Sequence, residues 1–170
     1  MNSGQIVTAV LEEGSPLGST LDFVVDANAP RGGMKHTFFT PDRKYAVQFF
    51  NDPRDGHNPN IQDRIRTIVS IYNPTLSEQA GGALGNTEKT AEYFRSRFCW
   101  PVAIVSQPEF GIVCPTYPQK FFFGGNASTN GLNLKGKDKK SNWFTGRLRK
   151  YIAPEEKGDF RTCLLYTSPS

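Results

Sequence analysis

The sequence predicts an α+β fold in which five antiparallel strands carry one helix inserted after the third strand. Three observations support it. Runs of β-branched and aromatic residues alternate with turn signals, one long segment has helical periodicity, and the composition is that of a folded domain. The chain has 170 residues, of which 37% are hydrophobic and 21% charged, enough for one domain with a core.

The first 20 residues contain Gly14, Pro16 and Gly18 with little periodicity, which predicts a leader or a weak first strand. A hairpin is expected further on, because Pro41 and Asp42 stand where a tight turn favours them. The five predicted strands lie at residues 21–25, 35–39, 44–50, 101–106 and 110–114.

A helix is predicted from Asn60 as its N-cap to Tyr72, because apolar residues recur there at helical spacing and Asn73-Pro74 then ends it. The stripe consists of Ile61, Ile65, Ile68, Val69 and Tyr72. Residues 87–98 predict a second, weaker helix. Two more helices are expected, over residues 142–151 and from residue 153 onward.

The turn before the second predicted strand contains Gly32 and Gly33, and Lys35 follows as the first residue of that strand. Glycines let backbone amides approach a phosphate, and a nearby lysine can hold the same anion. The alternative is a structural β-turn with a solvated lysine. Neither the Walker spacing nor the dinucleotide-binding glycine pattern is present.

The strand order, together with this turn, resembles the small lobe of protein kinases. Gln48 stands where most kinases have their phosphate-binding lysine, and Lys35 matches the displaced lysine of the with-no-lysine kinases. The chain from residue 32 to residue 160 resembles bacterial kinase-like proteins, often with a helix-hairpin-helix region, of tellurite-resistance-type phosphorylation modules. The most specific shared strings are Phe98-Cys99-Trp100-Pro101 and Glu155-Glu156-Lys157-Gly158-Asp159.

The resemblance implies a kinase-like small lobe with an αC-type helix, followed by the first helices of a truncated large lobe. It implies ATP as ligand, with Mg²⁺ in the full-length parent, and protein substrates or partners from the phosphorylation module. Asp63 is expected either to pair with Lys35 or to be a first-turn acid that favours the helix dipole. The implied nucleotide-binding residues are Gly32, Gly33, Lys35, Cys114, Thr116 and Tyr117.

The catalytic-loop and metal-binding motifs of kinases do not occur in this sequence. We therefore expect no catalytic residue and no metal ligand here, and an inactive fragment of a serine/threonine kinase-like parent. One alternative function is a pseudokinase or scaffold lobe that binds partner proteins. A second is a nucleic-acid-binding module.

The basic charge is concentrated near the end of the chain. Residues 131–170 carry 9 Lys and Arg against 4 Asp and Glu, whereas residues 1–60 carry 5 against 7. The lysines between residues 135 and 140 lack interleaved aromatic residues, which disfavours nucleic-acid binding. Three cysteines without CxxC spacing predict neither disulfides nor zinc, and His36 and His57 are expected in surface or turn positions.

The expected organisation has four parts. They are a leader (1–20), the small lobe (21–118), the start of a truncated large lobe (119–162) and a tail (163–170) that matches one reading frame of a sequencing-library adapter. No apolar stretch reaches the roughly 20 residues of a membrane span, so no membrane partner is expected and a cytoplasmic location is predicted.

Overall fold

Six antiparallel strands close into a barrel in the computed structural model, which describes residues 3–118, 122–123, 128–129 and 132–133. The barrel lies in the first of two compact units, Met1–Thr116; the second is Tyr117–Ser170. The barrel strands are β1 (Ile6–Leu11), β2 (Thr20–Val24), β3 (Lys35–Phe39), β4 (Tyr45–Phe50), β5 (Ala103–Gln107) and β6 (Gly111–Pro115).

Three helices belong to the same unit: α1 (Pro53–His57), α2 (Pro59–Val69) and α3 (Glu88–Arg97). A 3-10 turn, Glu78–Ala80, lies between α2 and α3. The described part of the second unit contains a short hairpin of β7 (Ser128–Thr129) and β8 (Leu132–Asn133).

The strand order around the barrel is β1-β2-β3-β4-β6-β5, and β5 returns to β1. At this closing contact Val10 lies opposite Gln107, and Leu11 opposite Val105. The Ser106 hydroxyl also donates a hydrogen bond of 3.1 Å to the Val10 carbonyl oxygen. Closure thus pairs β1 on both of its edges, whereas β2 and β3 are joined through the single pair Val24 and Phe39.

The predicted fold class is therefore wrong: this is a closed six-stranded barrel, not an open five-stranded sheet of a kinase small lobe with an αC-type helix. All five predicted strands are present, within a few residues of their expected positions. The difference arises from residues 6–11, where the weak first strand forms and pairs on both sides. Periodicity identified the strands but not the partners of the first one.

The barrel interior is filled by alternate residues of the strands, as the two-residue period of a β-strand requires. Its centre is aromatic. The ring centroid of Phe23 lies 5.4 Å from that of Phe38 and 5.6 Å from that of Phe49. The buried cluster consists of Ala9, Leu11, Phe23, Val25, Val47, Phe49, Ala103, Val105 and Val113.

Helix α2 begins and ends earlier than predicted. Its N-cap is Asn58, whose side-chain oxygen accepts a hydrogen bond from the Asn60 amide, and Pro59 occupies the first turn, where the missing N–H costs nothing. The helix ends at Val69, so Tyr72 lies beyond it and is 60% exposed. The second predicted helix is confirmed as α3, with Thr87 as its N-cap.

A charged contact connects α2 with the chain just after β1. The Arg66 guanidinium donates to both carboxylate oxygens of Glu12, with its shortest N–O distance at 2.8 Å. Arg66 also lies over the Phe110 ring, with 5.4 Å between the guanidinium carbon and the ring centroid. One side chain therefore joins the helix to two parts of the barrel.

The helices expected from residue 142 onward and the adapter-derived tail lie outside the described residues, as does most of the segment 119–162 predicted to begin a large lobe. In the described part of the chain, no helix is long and apolar enough to cross a bilayer.

If β1 completes the barrel core, truncating its inward side chain should destabilise the whole domain. Leu11 is 5% exposed and belongs to the buried cluster. We expect Leu11→Ala to lower the free energy of unfolding by about 2–5 kcal/mol. The measurement is urea denaturation followed by circular dichroism.

The control is Ile6→Ala on the same strand, where the side chain is 57% exposed. It should lower the free energy of unfolding by less than about 1 kcal/mol, which is the range covered by strand propensities. Equal effects of the two substitutions would show that β1 is not part of the core.

Candidate functional site

Lys35 is the first residue of β3, and its side chain lies on the outer face of the barrel. The next residues along β3 show the alternation, because His36 and Phe38 contact the interior ring of Phe49. The Lys35 ammonium lies 5.1 Å from the centroid of the Phe50 ring, directly opposite on β4. Lys35 is thus an outward-facing but half-buried cation.

Desolvation dominates the electrostatics of Lys35. Burial lowers the pKa of its ammonium below the ordinary 10.5, and the smaller Coulomb interaction with Cys114 acts in the opposite direction. Within the described residues, no carboxylate forms an ion pair with Lys35. Ion pairs in that part of the chain include those of Lys44, Arg54, Arg66 and Arg95.

Asp63 takes neither of its expected roles. It is the fifth residue of α2, beyond the first turn, and its carboxylate accepts a hydrogen bond of 3.2 Å from Arg66. Its side chain is 77% exposed. Both the pairing with Lys35 and the first-turn position are therefore wrong.

The Gly32-Gly33 turn is closed by its own backbone. The Gly32 N–H donates to the Lys35 carbonyl at 2.8 Å, and the Asn51 side chain donates to the Gly32 carbonyl at 2.9 Å. Neither glycine has a positive φ, and a Cβ at either would meet nothing closer than 3.7 Å. The turn has no steric need for glycine, and the Gly32 amide is already used.

Thr116, at the end of the first unit, has its polar groups engaged. Its N–H donates to the Lys44 carbonyl at 2.9 Å, and its hydroxyl donates to the Arg43 carbonyl at 2.8 Å. Its carbonyl accepts from the Cys99 thiol at 3.7 Å. The Thr116 N–H is therefore not available to an adenine ring. Tyr117 begins the second unit and is 51% exposed.

Cys114 lies on the outer face of β6, opposite Ala46 of β4. Burial raises the pKa of its thiol to about 12. Because the thiolate is the nucleophilic form, Cys114 is a poor nucleophile at neutral pH. Lys35 and Cys114 lie on the same face and interact electrostatically. Cys114 is a neutral thiol there, so it does not provide an anion for the Lys35 ammonium.

Two residues of this face were not singled out by sequence reasoning. Phe50 lies under the Lys35 ammonium, and Thr37 lies beside Gln48, with 3.5 Å between the Gln48 Nε2 and the Thr37 Oγ1. The signal was available in the hairpin register, which places Lys35 opposite Phe50 and Thr37 opposite Gln48. Gln48 occupies the same face as Lys35 and brings no charge.

A cavity of about 370 Å³ lies away from this face, between α2 and the loop after β1. Its charged lining consists of Glu12, Glu13 and Arg66, and Arg66 already pairs with Glu12. This cavity is therefore a weaker candidate for binding an anion than the face around Lys35.

No protein-family model, curated protein or solved structure matches this chain. Among the described residues, no three His, Cys, Asp or Glu side chains come together in a way that could hold a metal ion. The chemistry of the face around Lys35 is accordingly that of a single desolvated cation.

Removing the charge of Lys35 should stabilise the barrel at neutral pH. Its folded pKa lies below 10.5, so the unfolded chain binds more protons between those two values and stability rises with pH across that window. Below the window the desolvated charge is a constant cost. We expect Lys35→Met to raise the free energy of unfolding at pH 7, measured by urea denaturation. The increase should exceed the roughly 0.5 kcal/mol of ordinary surface substitutions.

The same variant should lose the rise in stability on the alkaline side. Lys44→Met is the matched control, because the Lys44 side chain is 75% exposed. A Lys35→Met protein less stable than wild type at pH 7 would contradict the cost assigned to this cation.

Cys114 should resist alkylation in the folded protein. With its pKa raised from the ordinary 9.0 to about 12, the thiolate fraction at pH 8 is far below that of a free cysteine. In a Cys99→Ala, Cys163→Ala background, iodoacetamide should modify the folded chain at least about tenfold more slowly than the urea-unfolded chain. Mass spectrometry measures both rates, and equal rates would contradict the raised pKa.

Proposed function

We propose that the outer face of the barrel around Lys35 binds the phosphate groups of a nucleotide, with ATP as the ligand. The observation that carries this proposal is a half-buried ammonium with a lowered pKa and no carboxylate partner among the described residues. A desolvated cation gains most from an anion that enters its site. Phosphate oxygens are strong acceptors for such a cation.

The role of Lys35 is electrostatic. Its ammonium lies over the Phe50 ring, and this group is a point charge with three donors for a phosphate. Gln48 contributes no charge on the neighbouring strand. The proposal needs no free amide from Gly32, which is bonded within its own turn.

The proposed activity is binding, and we propose no reaction at this face. The phosphotransferase activity of a longer parent, its Mg²⁺ and its partner proteins in a phosphorylation module remain predictions from the sequence resemblance. A cytoplasmic location belongs to the same proposal.

The test is calorimetric titration of the full chain with ATP, tripolyphosphate and adenosine. If phosphate is the recognised group, ATP and tripolyphosphate should bind and adenosine should not. A charge-assisted hydrogen bond contributes roughly 1.5–3 kcal/mol. Lys35→Met should therefore weaken ATP binding by about tenfold or more.

Two controls accompany this titration. Lys44→Met removes the same charge from an exposed position, and Gln48→Ala removes the neutral side chain on the neighbouring strand; both should leave the affinity for ATP within about threefold of wild type, the scale of a surface substitution. Equal losses from Lys35→Met and Lys44→Met would show that only general charge attraction is at work. ATP binding that survives in Lys35→Met would overturn the proposal.

A further inference from the structure

His36 lies inside the barrel, where the sequence predicted a surface or turn position, so that prediction is wrong. Its ring packs edge-on against Phe38, with 5.2 Å between the centroids, and lies 6.0 Å from the Phe49 ring. Its Nδ1 is buried and has no hydrogen-bond partner among the described residues. A buried polar atom without a hydrogen-bond partner lowers the stability of a folded protein by about 1–3 kcal/mol. A ligand that forms a hydrogen bond with Nδ1 would remove this cost.

A cavity of about 160 Å³ adjoins this nitrogen. It lies at the end of the barrel where β3 begins, β4 ends and the turn between β5 and β6 crosses. Three of its sides are aromatic, and Glu109 is exposed at that turn. The described residues that line it are Phe23, His36, Phe38, Phe49, Pro108 and Glu109.

The residues that line this cavity favour a small aromatic ligand. A cavity of about 150 Å³ accommodates one benzene-sized ring, and the three phenylalanines offer edges and faces for aromatic contact. A water molecule needs two to four polar partners, whereas the buried part of this lining offers His36 Nδ1. An apolar ring with a single polar group matches the cavity better than water.

We propose that this end of the barrel binds a small aromatic compound carrying one hydroxyl group, a simple phenol. The ring lies among Phe23, Phe38 and Phe49, and the hydroxyl donates to His36 Nδ1 when the imidazole carries its proton on Nε2. This site does not depend on the nucleotide proposal. His36 and Lys35 are neighbours on β3, and their side chains lie on opposite faces of the sheet.

The test compares para-fluorophenol with fluorobenzene by fluorine NMR on the full chain at neutral pH. The two probes differ in the hydroxyl group, which isolates the contact with His36. A neutral hydrogen bond contributes roughly 0.5–1.5 kcal/mol. We therefore expect para-fluorophenol to bind about three- to tenfold more tightly than fluorobenzene.

The variant His36→Phe keeps an aromatic ring and removes the acceptor. It should bring the affinity for para-fluorophenol down to that for fluorobenzene. The control is His57→Phe, since His57 is an exposed histidine at the end of α1, and it should change neither affinity. Loss of both probes in His57→Phe, or a retained preference for the phenol in His36→Phe, would overturn the proposal.

A second measurement needs no variant. In the wild-type chain, nuclear Overhauser effects from bound para-fluorophenol should reach the ring protons of Phe23, Phe38 and Phe49. Contacts from the probe to other residues instead, or no binding up to its solubility limit, would also overturn the proposal.

Discussion

Side-chain alternation around a closed interior decides where each chemically active group of this barrel lies. A strand sends successive residues to opposite faces, and the buried Val47 and Phe49 fix which face of β4 is the interior. The hairpin register then carries this assignment to β3, where Lys35 lies outside and His36 inside. A shift of one residue in that register would exchange the two sites. The aromatic packing of Phe23, Phe38 and Phe49 is what prevents it.

The two proposed sites share a strand but differ in what they lack. On the outer face a cation has lost much of its hydration, and on the inner face a ring nitrogen has no hydrogen-bond partner within the described part of the chain. Both conditions are costly in a folded protein unless another group compensates for them. The chemical class of each ligand follows from the missing group, an anion for Lys35 and a hydroxyl on an apolar ring for His36.

The sequence was sufficient to locate five of the six barrel strands and α3, because their signals are local. It could not reveal the barrel, since the partner of Ile6–Leu11 is a distant segment and six residues carry no information about which edge they will pair with. The start of α2 was misplaced because Pro59, at the first helical position, was not considered with Asn58 as the cap.

The candidate site, too, could be predicted from the sequence only in part. Lys35 was singled out by its position after a glycine turn, yet its desolvation depends on packing against the outer face of the barrel, which no spacing reports. His36 was assigned to the surface because an isolated histidine shows no ligand pattern. Its position in the interior follows only when the register is known, from the pairing of His36 with Phe49 across β3 and β4.

The closing contact between β1 and β5 joins residues that are 96 positions apart, as in the bond from Ser106 to Val10. At roughly 5–20 residues per second, a ribosome needs several seconds to make the chain between them. During that time β1 and β2 can form a hairpin, but β1 has one unpaired edge, which is a template for pairing with other chains. The first strand to be synthesised, β1, therefore waits longest for its second partner. Until β5 has been synthesised, the free edge of β1 in the nascent chain can pair with other chains.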